Sequence, residues 1–366
     1  MKRNIVIIGM LLLVIVFFLV GRSLIDRDRI PDETDPAEEW TGISSELCNP
    51  NADENTRRLM SYLSEQYGSR ILSGQYCDDY YGRNELYVIQ NETGKLPAVV
   101  GFDFIRYSTS MVRLGETSMA VEWAIEEAGK GAVITFCWHW NPPEQYLVND
   151  VYNGARTENT TIDLDRIMNG EDESGYQALL ADMDAIALQL QRLQEEGIPV
   201  SWRPLHEASG GWFWWGDCSP ESYIALYRLM YERYTDEWEL NNLIWLWNGQ
   251  DAQWYPGDDV VDLIGEDIYS NPGDYDPHRG QFVNANNVYT DADKMVVLSE
   301  TAPAFDPELA EEEGAMWGFF GMWGGSIVCD SRNIGIYSES YLDRDMLYQI
   351  YHSDLIITRD ELPVLR

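Results

Sequence analysis

The chain has 366 residues and carries 25 basic against 62 acidic side chains, a formal charge of −37. That balance excludes nucleic acid and an anionic lipid surface as electrostatic partners, while a neutral polymer is compatible with it. The length suits one large α/β barrel with decorated loops, or two average domains.

Lys2 and Arg3 precede Ile5 to Val20, an uncharged and almost wholly apolar run. Residues 1–21 therefore read as a signal peptide or an N-terminal membrane anchor. The run is shorter than the about 20 residues of a full span. No cysteine follows it closely enough for a lipid anchor, and Gly21 with Ser23 makes a poor cleavage site, so both fates stay open. Either one exports the protein to the cell exterior, secreted or anchored. Residues 22–45 are polar, mostly acidic and hold two prolines, the composition of a solvated linker. Residues 46–366 read as one domain. Its five cysteines, Cys48, Cys77, Cys137, Cys218 and Cys329, are too scattered for a disulfide scaffold or a zinc site; a Cys48–Cys77 bridge is the pairing that export would permit.

Eight apolar, β-branched or aromatic runs follow in order: Ile71 to Gln75, Ala98 to Phe104, Ala132 to Trp138, Val200 to His206, Leu243 to Trp247, Val261 to Tyr269, Met295 to Ser299 and Phe319 to Trp323. Helical periods lie between several of them. In Tyr176 to Glu196, Leu179, Met183, Ile186, Leu190 and Leu193 recur every three or four residues until Gly197 and Pro199 stop them. In Ser219 to Glu239, Ser219 suits an N-cap and Pro220 the first helical position. Strands alternating with helices imply a parallel sheet, and eight units suggest closure into a (β/α)8 TIM barrel. No nucleotide-binding glycine motif follows any run. Asn141 to Gly175 lacks a period and is expected to be a long loop over one side of a cleft.

Polar residues finish the apolar runs: Gln75, Asp103, His139, Glu207, Asn248, Asp267 with Tyr269, Glu300 and Trp323. In a barrel these ends share one face, where such proteins place their chemistry. Glu207 falls on the fourth run and is followed by Trp212, Trp214 and Trp215; Glu300 falls on the seventh. A carboxylic acid, a second carboxylate and indole planes are what cleavage of a glycosidic bond requires. His139, His206 and Asp267 lack metal-ligand spacing, so neither a metal nor any other cofactor is expected.

Four ordered segments, Trp138-His-Trp140, Arg203-Pro-Leu-His-Glu207 with Trp212 to Gly216, Gly265-Glu-Asp-Ile-Tyr269 and Leu298-Ser-Glu-Thr301, resemble glycoside hydrolase family 26, whose best-known members are β-mannanases. The segment Arg203 to Glu207 with Trp212 to Gly216 is the most specific element, since most of the wider clan of retaining glycosidases carries Asn where this chain has His206. The resemblance runs from about Asn55 to the C-terminus. It implies that 46–366 is a single, monomeric (β/α)8 catalytic domain with Glu207 as acid/base and Glu300 as nucleophile. It also implies that His139, His206, Trp212, Asp267 and Tyr269 line the sugar site; Trp323 joins them by position. The expected partner is β-mannan or manno-oligosaccharides, cut internally with retention and carboxyl groups about 5 to 5.5 Å apart. Relatives acting on mixed-linkage β-glucan or β-1,3-xylan, and a carbohydrate-binding or scaffold protein without turnover, are the competing readings.

Overall fold

The computed structural model describes residues 43–290 and 292–366. The expected N-terminal segment 1–21 and nearly all of the expected linker 22–45 lie outside the described residues. Among those described, no helix is long and apolar enough to cross a membrane.

Each of the eight apolar runs becomes a strand of one closed parallel barrel. They are β1 (Gly74–Tyr76), β2 (Val99–Asp103), β3 (Val133–Cys137), β4 (Val200–Arg203), β5 (Leu243–Trp247), β6 (Leu263–Tyr269), β7 (Met295–Ala302) and β8 (Phe320–Met322). Gln75 on β1 pairs with Met322 on β8 and closes the ring. The runs are continuous rather than alternating because both faces of a barrel strand are covered: every residue of β3, β4 and β5 is buried.

The helices around the barrel are α1 (Glu54–Gln66), α2 (Asn84–Thr93), α3 (Ala120–Gly129), α4 (Glu173–Glu195), α5 (Pro220–Glu232), α6 (Arg279–Val288), α7 (Pro307–Glu313) and α8 (Arg344–His352). The expected stripe of α4 is its buried face, each leucine or isoleucine contributing about 1.5–3 kcal/mol by burial. This helix begins earlier than its period suggests, because the Asp172 carboxylate caps it by accepting from the Gly175 N–H at 2.9 Å. α5 starts at Pro220 with Ser219 as N-cap, as expected, and ends in a wider turn over Arg233–Glu237. Between β5 and β6 the strand–helix alternation lapses; two short 3-10 turns, Ala252–Trp254 and Asp258–Val260, make the connection.

Two local irregularities position the site. Asp267 pairs with Glu300 while the preceding Glu266 pairs with Leu298, so Ser299 is an extra residue in β7. Such a bulge re-aims the residues beyond it, here setting two carboxylates side by side. Gly101 is the second: a Cβ there would lie 2.5 Å from the Tyr76 ring, so its absence admits that ring into the barrel.

The suggested Cys48–Cys77 bridge does not form; all five cysteines are free. Cys48 bonds Asp262, which precedes β6, whereas Cys77 follows β1, so the two occupy opposite ends of the barrel. The 141–175 segment is also more ordered than expected. It contains a short helix, Leu164–Met168, and three 3-10 turns. The buried Asn141 amide staples it by donating to the Val151 carbonyl and accepting from the Gly154 N–H.

Candidate active site

The strand ends converge on Arg203, the last residue of β4, whose side chain has no exposed surface. Its guanidinium donates through Nη1 to Asp267 Oδ2 and through Nη2 to Glu300 Oε2, both at 2.5 Å. A buried cation is tolerable only with such partners. Asp267 accepts two further bonds at Oδ1, from Asn248 Nδ2 at 3.0 Å and Ser299 Oγ at 2.7 Å. Burial raises its pKa to about 7 against the opposing pull of Arg203, while the donors on both oxygens favour its carboxylate form. The Asp267 side chain is fully covered, so it lies beneath the expected sugar lining, bonded to Arg203.

Past Arg203 the chain turns sharply. Leu205 and Glu207 both have positive φ, 52° and 54°, a conformation that costs a non-glycine residue of order 1 kcal/mol or more and that clusters at functional sites. Asn248 holds the turn: its carbonyl and its Oδ1 accept from the Glu207 N–H at 2.7 and 3.1 Å. The Glu207 carboxyl then points inward, 6% exposed as a residue, and its Oε2 accepts from Trp212 Nε1 at 2.7 Å. Burial, then the charges of Asp267 and Glu300, push its pKa up to about 8, so it holds a proton at neutral pH. Glu300 is placed differently: Tyr269 donates its hydroxyl to Oε1 while Arg203 occupies Oε2. One oxygen from each of Glu207, Asp267 and Glu300 lies within 4.8 Å of the others.

The histidines form a relay beside this group. His139 Nδ1 bonds Asp103 Oδ2 at 2.6 Å and its Nε2 lies 3.2 Å from His206 Nε2. For His139, burial opposes the charged ring, but the Asp103 carboxylate prevails and raises the pKa. For His206, burial and then Arg203 and His139 depress it well below the usual value. His139 is thus held between the Asp103 carboxylate and a neutral His206. Trp323 stands 5.6 Å from the His139 ring and 5.1 Å from Tyr76, and Phe213 packs 5.1 Å from His206.

All eight residues expected at the site are thus gathered at one end of the barrel. Sequence reasoning passed over Arg203, Phe213 and Tyr76, and placed Asp103 and Asn248 only by position. Trp214 and Trp215 are buried beneath the loop, donating to the Trp140 and His206 carbonyls at 2.8 Å each, and Trp247 is fully buried. Gln75 bonds the Met322 and Trp323 carbonyls and so serves barrel closure.

Among the described residues, two sets of side chains have the proximity to hold a metal ion, Glu207 with Asp267 and Glu300, and Asp103 with Cys137 and His139. In the first, a guanidinium already bonds two of the three carboxylates. In the second, burial keeps Cys137 a thiol and Asp103 is committed to His139. Neither donor set fits an ion.

Fold and site together define a (β/α)8-barrel protein with paired glutamates delivered by the fourth and seventh strands. The sequence profile of glycosyl hydrolase family 26 matches residues 48–361, and the chain belongs to that family. It is 38% identical over 323 residues to a mannan endo-1,4-beta-mannosidase of Thermothelomyces thermophilus, covering 87% of this chain and 64% of that protein. It is 34% identical to mannan endo-1,4-beta-mannosidase B of a Piromyces species, covering 94% of this chain and 58% of that one. The chain thus spans about three fifths of these curated relatives. Among solved structures it is similar to the Podospora anserina GH26-CBM35 beta-(1,4)-mannanase, with TM-score 0.82, 38% identity and coverage of 90% of this chain and 71% of that one. It is also similar to the beta-mannanase from a symbiotic protist of the termite Reticulitermes speratus, complexed with gluco-manno-oligosaccharide: TM-score 0.76, 30% identity, covering 89% and 99%.

Proposed function

We propose that the protein is a retaining endo-β-1,4-mannanase that hydrolyses internal mannosidic bonds of mannan, glucomannan or galactomannan. The observation that carries this reading is the contrast between two neighbouring carboxyl groups. Glu207 is buried with no cation bonded to it among the described residues and keeps its proton, whereas Glu300 receives hydrogen bonds from Arg203 and Tyr269. Glu300 attacks the anomeric carbon as Glu207 protonates the leaving oxygen; Glu207 then takes a proton from the water that releases the sugar. Oxygens within 4.8 Å of one another suit retention, for which the carboxyls lie about 5–5.5 Å apart, rather than inversion, which needs about 6.5–9.5 Å.

Trp212 and Trp323, both partly exposed, offer ring faces to the sugar, and the partly exposed His139 ring borders it with His206 behind. Tyr269 holds Glu300, and Asp267 acts beneath them by fixing Arg203. The choice of mannan rests on the relatives, several of which are named mannan endo-1,4-beta-mannosidases. Action outside the cell follows from the polymeric substrate and from the apolar run in residues 1–21.

Reducing-end release from mannan, lichenan and β-1,3-xylan, with product sizes from mannohexaose, tests the proposal. Mannan is expected to be the best substrate and mannohexaose to yield two shorter oligosaccharides. Hydrolysis of lichenan alone contradicts the substrate, and no hydrolysis of any of them favours a binding protein.

A further inference from the structure

The 141–175 loop brings to the site a side chain that no motif singles out, Arg156. Its backbone forms an antiparallel bridge with Phe213. On either side, Trp214 N–H donates to the Ala155 carbonyl and Thr157 N–H to the Trp212 carbonyl, both at 3.0 Å. The Thr157 hydroxyl also donates to the Gly211 carbonyl at 3.0 Å. The loop is therefore laced to the very segment whose Trp212 bonds Glu207. The Arg156 guanidinium lies over the Phe213 ring, 4.8 Å from its centre, and that ring packs 5.1 Å from His206 and 5.3 Å from His139. A cation held over an aromatic face in a partly desolvated cleft keeps a defined position. Burial opposes the charge of Arg156, and the strongest attraction offsetting it is to Glu207.

The distribution of charge gives this placement a use. Arg203 bonds Glu300 and Asp267 and makes no such bond to Glu207. When the glycosidic bond breaks, the anomeric carbon bonds to Glu300, whose charge is lost, and the Glu207 proton passes to the leaving oxygen. The negative charge moves away from Arg203 and onto Glu207. Around Glu207 stand its neighbour His206, Arg203 from β4, Asp267 and Tyr269 from β6, Glu300 from β7 and the Trp212 N–H that bonds it; the loop contributes Arg156, itself faced by Glu158. His206 is neutral, Trp212 supplies one uncharged donor, and apart from the two arginines the other partners are acidic or phenolic.

We propose that Arg156 is a positioning residue that acts through Glu207, its guanidinium stabilising the carboxylate that Glu207 becomes once its proton has gone to the leaving group. This rests on the reading of Glu207 as acid/base. The loop would then couple its own docking on the Phe213 segment to the proton transfer.

The test is the pH profile of kcat/KM on mannohexaose for the full chain and for Arg156→Gln and Arg156→Lys. Loss of the positive charge makes Glu207 a weaker acid, so the alkaline limb of R156Q should move upward by roughly half a unit to one unit. R156K, which keeps the charge, should retain the limb of the parent. A brace for the loop, or a hydrogen bond to sugar, lowers turnover without moving the limb, so an unmoved limb in R156Q overturns the proposal whatever the loss of rate. Glu207→Ala with a dinitrophenyl mannobioside, with and without azide, tests the underlying reading separately. Azide should restore turnover if Glu207 is the acid/base; failure of that rescue sinks the reading itself. Rescue together with an unmoved limb in R156Q sinks only the role of Arg156.

Discussion

Replacing Arg203 with Met is the sharpest perturbation of the site's electrostatics. The substitution keeps most of the apolar bulk and removes the cation shared by Asp267 and Glu300, both bonded at 2.5 Å and both buried. Leaving one side of a buried ion pair uncompensated costs about 3–5 kcal/mol. In a domain of this size that corresponds to a fall in melting temperature of roughly 4 to 8 °C. The loss should also depend on pH. Without the guanidinium, the folded variant relieves the two adjacent carboxylates by taking up a proton that the unfolded chain does not hold near neutrality. When the native state binds the extra proton, stability declines as pH rises, so the deficit relative to the parent should be larger at pH 8 than at pH 5. Thermal melts followed by circular dichroism at both pH values measure this. A deficit below about 1 °C, or one equal at the two pH values, refutes the view that Arg203 serves chiefly as the counter-charge of this pair.

Four further outcomes follow from the same geometry. Tyr269→Phe removes a hydrogen bond to Glu300 Oε1, and at about 1.5–3 kcal/mol for a bond to a charged group kcat should fall roughly 10- to 100-fold with KM little changed; an unaltered kcat means the bond is idle in the transition state. Glu207→Ala should lose on the order of 10²–10⁴ in kcat/KM on unactivated mannan but keep the first step on substrates with acidic leaving groups, and equal losses on both deny it the acid's part. In the parent, kcat/KM should decline as pH rises through about 8, where Glu207 gives up its proton; a rate still climbing there contradicts this assignment. Glu85 on α2 is fully covered, accepts the Gly325 N–H at 2.8 Å and has its pKa pushed up to about 8 by burial. A carboxyl raised in the folded state contributes stability at low pH that is lost as pH rises through that value, so Glu85→Gln should gain in melting temperature relative to the parent between pH 5 and 8, and a constant difference speaks against a proton on Glu85.

The barrel was legible because parallel strands covered on both faces must be apolar along their length, and because the first polar residue after each run marks the open end. That logic located Glu207, Glu300, His139 and Tyr269. It did not locate Arg203, for an arginine closing a short apolar run carries no sign that its partners lie on β6 and β7. Nor does the sequence mark Ser299 as the extra residue of a bulge; without it Asp267 and Glu300 would not be paired. The order of the 141–175 loop comes from bonds such as those of Asn141 to Val151 and Gly154, which have no period, and Arg156 was hidden with it. The connection from β5 to β6 shows the complementary failure, since strand–helix alternation predicts a helix where two 3-10 turns suffice.

The central claim is that Glu300 forms the bond to the sugar while Glu207 carries the proton. Incubation with a 2-deoxy-2-fluoro-mannosyl fluoride, which forms a glycosyl-enzyme and turns it over slowly, followed by peptide mass mapping, addresses it most directly. A single sugar adduct on Glu300 is the predicted result. An adduct on Glu207 or Asp267, or hydrolysis of mannohexaose with inverted configuration and no adduct, contradicts the account.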